Sequence, residues 1–378
     1  MSRSNPDGLF GGAVGKKTTI GILTSGGDCP GLNAAIRGVV KAAYSMGDAR
    51  IVGIADGYRG LIEGRASELD AEEASGLLTR GGTILGASRE KPFEARDDGG
   101  PSDSEVGLGK PEAIKENYRL LGLDCLVTLG GNGTNTTAAR LQEEGLNVIG
   151  LPKTIDNDIC RTDVSFGFHS AVDIAAEAID RLHSTASSHN RVMVIELMGH
   201  KAGWLALYAG IAGGGDVILL PEIPYRPDAI ARHLGRRAAT GKRFSIVVVA
   251  EGAMSESESL LEKKARKALR ASMPYPSIGY RVAAEIAEAT GMETRVTVLG
   301  YLQRGGVPSA YDRVLSTAFG SAAAELAFSR RYGRMVAWRD GAVGSVRLDK
   351  VAGRTKRVPK DHEFIGVARL MGTCLGDE

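Results

Sequence analysis

A chain of 378 residues, 43% apolar and 24% charged, has the balance of a globular protein of two or three domains that can bury its cores without disulfides or metals. With 47 Lys and Arg against 45 Asp and Glu, the formal charge is only +2, which argues against nucleic acid or a membrane surface as the main partner. An anionic ligand would have to be met by local clusters of cations. Cys29, Cys125, Cys160 and Cys374 lie far apart and form no CxxC pair, so they fit a reducing compartment and carry no zinc signature. No apolar run approaches the ~20 residues of a membrane span. The start, MSRSNPDGLFGGAVGKK, lacks the apolar stretch of a signal peptide and reads as a flexible extension over residues 1–17 of a cytoplasmic protein.

Apolar strand-like runs alternate with helical patterns almost from end to end, the signature of an α/β protein with parallel sheets. TTIGILTS is a strand, GGDCPG a glycine turn, and LNAAIRGVVKAAYSMG the helix it opens. A second strand, IVGIADG, follows, then the glycine-rich stretch RGGTILGASRE. The polar segment KPFEARDDGGPSDSEVGLG is expected to be a mobile loop within a domain. DCLVTLGGNGTNTTAARLQEEG repeats the strand, loop and helix unit, and NVIGLPKTIDND runs from a strand straight into a polar loop. In FHSAVDIAAEAIDRLHSTASSH the spacing puts Ala171, Ile174, Ala175, Ala178, Ile179 and Leu182 on one helical face. RVMVIELMG, DVILLPEIP, FSIVVVAEGAM and TRVTVLGYLQRGG are further strands, separated by helices such as KAGWLALYAGIAGG and PDAIARHLGRRAATG. The helix DRVLSTAFGSAAAELAF follows the last of them. The fold class is α/β, with two doubly wound domains and sites at the carboxyl ends of their strands.

Three glycine-bearing or polar turns follow apolar strands: Gly26-Gly27-Asp28, Gly130 to Thr134, and the turn at Pro152-Lys153. Glycines admit an anion close to the backbone, where the N–H groups of the next helix point at it. One such turn serves chain geometry as readily as phosphate. Three at neighbouring strand ends suggest a polyphosphate site. In Leu151 to Asp158, Asp156 and Asp158 flank Asn157, with Lys153 and Thr154 just before. An Asp here could take a proton from a sugar hydroxyl or ligate Mg²⁺, while Lys153 could neutralise a moving phosphoryl group. The plainer alternative is an Asx-turn capping the next helix.

Taken together, GILTSGGDCPGLNAAIRG, GGNGT, PKTIDND, SSHNRVMVIELMG and TRVTVLGYLQRGG resemble, in order and spacing, the signatures of bacterial-type 6-phosphofructokinases, from about Thr18 to about Phe328. The resemblance implies two α/β domains with the active site in the cleft between them. Residues 18–167 plus 303–353 would bind the phosphoryl donor, and 168–302 plus 354–378 the sugar phosphate, in a homo-oligomer (dimer or tetramer). By motif, Asp156 would be the base, with Thr154 and Lys153 beside it and Asp158 placed to help hold Mg²⁺. Gly26, Arg89, Gly131, Asn132, Gly133 and Thr134 match donor-binding positions. Arg191, Arg295 and Arg304 match phosphate-gripping arginines, some reaching in from a neighbouring subunit, and arginine's planar fork suits that work. Met198, Gly199, His200, Glu251 and Tyr301 fall at sugar-contacting positions, with Thr154 and Asp156 also facing the sugar.

Several residues depart from the family pattern. Asn132 stands where many relatives carry an acid near the metal, Tyr301 where a His is common, and His200 where an Arg is common, with Lys201 beside it. The pair Gly133 and Lys153 bears on the donor. Gly133 leaves room for a nucleotide's α-phosphate, whereas Lys153 resembles pyrophosphate users. The combination looks like the mixed subgroup of the family and points to ATP, with pyrophosphate the alternative. Arg37 and Lys41, at i,i+4 on a helix, match effector positions of bacterial relatives, and a solvated basic face explains them equally well. An NAD kinase-like enzyme would explain Gly130 to Thr134 but not TIDND or the later arginines. GGDCPG does not fit the GxGxxG spacing of a dehydrogenase. A non-catalytic paralogue is supported only by Asn132 and His200.

Overall fold

A computed structural model describes residues 17–93 and 109–378. The expected N-terminal extension, apart from Lys17, and residues 94–108 of the expected mobile loop lie outside the described residues. In chain order the strands are β1 (Thr18–Thr24), β2 (Ala49–Ile54), β3 (Ala66–Glu68), β4 (Cys125–Gly130), β5 (Val148–Pro152) and β6 (Val192–Leu197). They continue with β7 (Val217–Leu219), β8 (Ser245–Ala250), β9 (Thr294–Val298), β10 (Arg334–Arg339) and β11 (Ala342–Arg347). Among the described residues these form a seven-stranded sheet, ordered β11-β10-β5-β4-β1-β2-β3, and a four-stranded sheet, ordered β7-β8-β6-β9.

The central strands pair in parallel, and β4, β5, β6 and β8 are buried along their whole length. Strands covered by helices on both faces are apolar at every position, which is why CLVTLG and SIVVVA show no alternation. The expectation of parallel sheets is corrected at the edges of the larger sheet. Strand β3 runs antiparallel to β2, and β10 and β11 form an antiparallel hairpin. Its tip, Asp340-Gly341, has φ of 52° and 78°, the left-handed pair that matches the twist of the flanking strands.

Helix Phe168–His189 carries the chain from the first sheet to the second. Its expected inner face is present, with Ala171, Ala175 and Ile179 fully buried and Ile174, Ala178 and Leu182 half-buried. Helices Leu32–Met46 and Ala310–Phe328 cross at two glycines. A Cβ on Gly320 would lie 2.3 Å from the carbonyl oxygen of Ala35, and one on Gly38 would lie 2.8 Å from that of Thr317, so side chains there would force the helices apart.

Topology then positions the site. After β1 the chain goes to β2 on one side, and the later β4 lies on the other, so a crevice opens at the carboxyl ends of β1 and β4. In the second sheet Leu197 pairs with Ala250, which sets Met198 to His200 beside Glu251.

Candidate active site

The turn after β1 is fixed from both sides. Ser25 N donates to Leu129 O (3.0 Å), and Gly26 N donates to Ser88 O (2.8 Å), which brings Arg89 beside the first glycine turn. The second turn opens helix Asn132–Glu143, whose first N–H groups no side chain caps; such groups favour an anion. Between these turns lies a cleft of about 260 Å³ lined by Gly26, Arg89, Gly131, Gly133, Thr134, Lys153, Thr154 and Arg304. The expected donor-side residues are therefore together, apart from Asn132, which is not part of the lining.

Asn132 joins the two loops instead. Its Nδ2 donates to Asp158 Oδ2 (2.8 Å) and Asp158 O (3.2 Å), while its Oδ1 is buried without a partner. Lys153 continues β5 by donating its N–H to Gly130 O (3.1 Å), and its buried ammonium donates to Gly27 O. Burial pushes Lys153 below the usual lysine range. Asp156 donates its backbone N–H to Thr154 Oγ1 (3.1 Å), and its own Oδ1 is buried with no partner. Burial above all, then Asp158 and Glu251, raises Asp156 to about 7 against the pull of Arg304 and Lys153. Burial also raises Asp158, opposed by hydrogen bonds that include those from Thr154 and Asn132.

On the second sheet a cleft of about 300 Å³ is lined by His200 and Glu251 together with Glu196, Arg270, Tyr275, Ser277 and Arg281. Burial raises Glu251, and His200 and Arg304 oppose it, so Glu251 lies within electrostatic reach of both clefts. Arg304 donates to Asp28 O (2.9 Å) across the cleft. Gly199 is buried with φ of 128°, and a Cβ there would lie 2.9 Å from Ala202 O. Met198 is half-buried against the main apolar core.

Arg191, Arg295 and Tyr301 are not brought into either cleft. Arg191 precedes β6 and Met198 follows it, so they stand roughly 20 Å apart along the strand. Arg191 and Arg295 instead meet at Glu293, with Arg191 Nε 3.0 Å from its carboxylate. Tyr301 is 73% exposed on the short turn Gly300–Arg304. Arg37 and Lys41 lie half-buried on helix Leu32–Met46, in the lining of neither cleft. Among the cleft residues that sequence reasoning missed are Tyr58 and Thr137 in the first cleft and Arg270, Tyr275 and Arg281 in the second. None of these carries a short motif, and Arg270 is placed by Glu258 (2.8 Å) rather than by its neighbours in sequence.

A phosphofructokinase family profile matches residues 19–327, and the chain belongs to the phosphofructokinase family. It is 67% identical over 359 residues to an ATP-dependent 6-phosphofructokinase of Spirochaeta thermophila, covering 95% of this chain and 98% of the relative. With ATP-dependent 6-phosphofructokinase 3 of Bacteroides thetaiotaomicron it shares 51% over 357 residues, covering 94% and 99%. Among solved structures, Pichia pastoris phosphofructokinase superposes with a TM-score of 0.77 at 30% identity over 98% of this chain, which spans 38% of that longer chain.

Proposed function

We propose that the protein transfers the terminal phosphoryl group of ATP to the 1-hydroxyl of fructose 6-phosphate, giving fructose 1,6-bisphosphate and ADP in the cytoplasm. The observation that carries this reading is the buried, unpartnered carboxylate oxygen of Asp156, within electrostatic reach of Lys153, Arg304 and Glu251 and two residues beyond Thr154, which lines the glycine-bearing cleft. A base raised to about 7 can take the hydroxyl proton near neutral pH as the oxygen attacks in line. Thr154 and the loop backbone orient Asp156. Lys153, Arg89 and Arg304 offset charge on the phosphates, and the Gly26 and Gly131 to Thr134 turns receive the donor. Residues 18–167 plus 303–353 form the donor half, and 168–302 plus 354–378 the sugar half, where Met198, Gly199, His200 and Glu251 meet the ring and its hydroxyls.

The oxygen donors fit Mg²⁺. Asn132 Oδ1 and Asp156 Oδ1 are buried and unpartnered, and Asp158 lies one hydrogen bond from Asn132. Among the described residues no group of three or more His, Cys, Asp or Glu is gathered to hold a metal alone, as suits an ion that keeps water and phosphate oxygens in its shell. Asp158 and Asn132 would hold it, and it supplies charge neutralisation on the phosphates.

Arg191 and Arg295 serve the cleft of a second copy. They sit at the amino ends of β6 and edge strand β9. Tyr301, Leu302 and Val307 after β9, and Val314 on helix Ala310–Phe328, are exposed apolar side chains suited to a homo-oligomer. Among the described residues no helix is long and apolar enough to cross a membrane.

The deciding experiment assays fructose 1,6-bisphosphate formation with Mg²⁺ and either ATP or pyrophosphate. ATP is expected to be preferred by at least about tenfold in kcat/KM, because a Cβ at Gly133 would meet nothing within 4 Å and the donor cleft is open there. Activity with pyrophosphate alone would establish the second reading, which Lys153 favours. Another expected result concerns Gly27, where a Cβ would lie 2.6 Å from Arg304 Nη1. Gly27→Ala should leave Tm unchanged, because the flexible guanidinium swings away. It should lower kcat/KM for fructose 6-phosphate about tenfold, in steady-state assays, through the displaced cation.

A further inference from the structure

Asp156 and Asp158 sit in one loop, two residues apart, and each raises the problem of holding a buried negative charge beside another. Between them Asn157 adopts a left-handed backbone with φ of 49°, a conformation that Asn accepts more readily than most side chains other than glycine. What holds this turn comes from almost 200 residues away. The Lys356 ammonium donates to Asn157 Oδ1 (3.1 Å), Thr162 O (2.9 Å) and Asp163 O (2.9 Å), which uses all three of its N–H groups. Its backbone N–H donates to Asp158 O (2.7 Å). On the other side the Lys356 carbonyl accepts from Trp204 Nε1 (3.1 Å), and the ammonium lies 5.5 Å from the centroid of the Trp204 ring.

These contacts are not those of a surface lysine. They converge on the one residue between the two carboxylates and on the strand-like return of the same loop, where Asn157 Oδ1 also accepts from Ser165 N (3.1 Å). Trp204 opens helix Trp204–Ala212, which follows the His200-Lys201 turn after β6. Lys201 in turn draws on Asp158 electrostatically. One residue therefore touches the loop bearing the base on the first sheet and the element beside the sugar-side turn on the second.

We propose that Lys356 is a positioning residue for phosphoryl transfer, whose ammonium fixes the Asp156 to Asp158 turn and ties it to Trp204. The inference rests on the reading of Asp156 as the base. Lys356 touches neither the reacting atoms nor the lining of either cleft. Its removal therefore acts on the rate of the bound complex rather than on capture of substrate. A base displaced by a fraction of an ångström loses its alignment with the hydroxyl, while the arginines and glycine turns that bind the phosphates stay where they are.

The test is Lys356→Met in the full-length protein, with kcat and both KM values measured beside parent, Lys356→Arg and Asp156→Asn. Lys356→Met is expected to lower kcat at least about tenfold with the KM for fructose 6-phosphate within about threefold, and Lys356→Arg to recover most of the loss. A kcat within about twofold of parent in the Met variant overturns the proposal, as does an equal loss in which both KM values rise about tenfold, the mark of general distortion. If the Met variant does not fold, Lys356→Gln, polar but too short to reach all three acceptors, is judged by the same kcat-against-KM criterion. An inactive parent, or an active Asp156→Asn variant, would sink the reading of the base. An active parent with indifferent Lys356 variants would sink this inference alone.

Discussion

Asp156→Asn is expected to lower kcat by about 10³-fold while binding of fructose 6-phosphate, measured by calorimetry, changes less than about threefold. The substitution is nearly isosteric, and the oxygen whose charge it removes makes no hydrogen bond, so no contact of the loop is lost. The backbone bond from residue 156 to Thr154 Oγ1 is untouched by the change. What disappears is the ability to accept a proton. Turnover within about tenfold of parent would mean that another group takes it, and the assignment of the base would fall.

The same residue sets two pH dependences of opposite sense. As the proposed base, Asp156 would act only when unprotonated, so kcat/KM is expected to fall roughly tenfold per unit as pH drops below about 7. For stability the sign reverses. The folded carboxyl is raised from 3.8 to about 7, so the native state holds a proton that the unfolded chain has released, and stability is lost as pH rises across that window. Above pH 7 the buried charge costs about 4 kcal/mol. Asp156→Asn should therefore be more stable than parent in urea unfolding at pH 8, with a smaller gain at pH 5. An equal gain at both values would show that burial does not dominate the site.

Much of this arrangement is legible in the chain because its central strands are short apolar runs that end in glycine or in charged loops. Gly26, Gly131 and Lys153 could be placed near one another from a single rule, that ligands gather at the carboxyl ends of parallel strands. What escaped has identifiable causes. The hairpin at Asp340-Gly341 was readable, since Asp-Gly between two β-prone segments is a turn signal, yet the expectation of uniform parallel pairing hid it. Arg270 and Tyr275 were not readable, because helix Lys263–Ser272 buries no residue even though Ala265, Ala268 and Leu269 share one face, and Tyr275 lies in the irregular segment after it. Arg191 and Arg295 sit in clear motifs, but a motif gives identity and not direction. Only the pairing of β6 with β9 reveals that they sit together at the amino ends of those strands, outside the lining of either cleft. Lys356 illustrates the hardest case, one of several cations in the run Arg354 to Lys360, whose partners lie far off in sequence.

Gly133→Asp should fold as well as parent and lose ATP-dependent activity by about 10²- to 10³-fold in kcat/KM, with the KM for fructose 6-phosphate within about threefold. The structural half of that expectation follows from the backbone. Residue 133 lies in the first turn of helix Asn132–Glu143, its φ is not positive, and a Cβ would meet no atom within 4 Å. A carboxylate is also favoured near a helix amino terminus, so Tm should hold or rise. The functional half follows from the ligand. The new carboxylate would stand in the cleft shared by Lys153, Thr154 and Arg304, which the proposed function assigns to the three phosphates of ATP. Steric overlap with the α-phosphate and like-charge repulsion act in the same direction, and a donor with only two phosphates escapes the first. Pyrophosphate should therefore lose less than ATP, and the ratio of the two kcat/KM values, measured on parent and variant, is the sharpest reading. If ATP turnover stays within about fivefold of parent, the α-phosphate does not lie beside residue 133, and Lys153 becomes the residue that sets the donor.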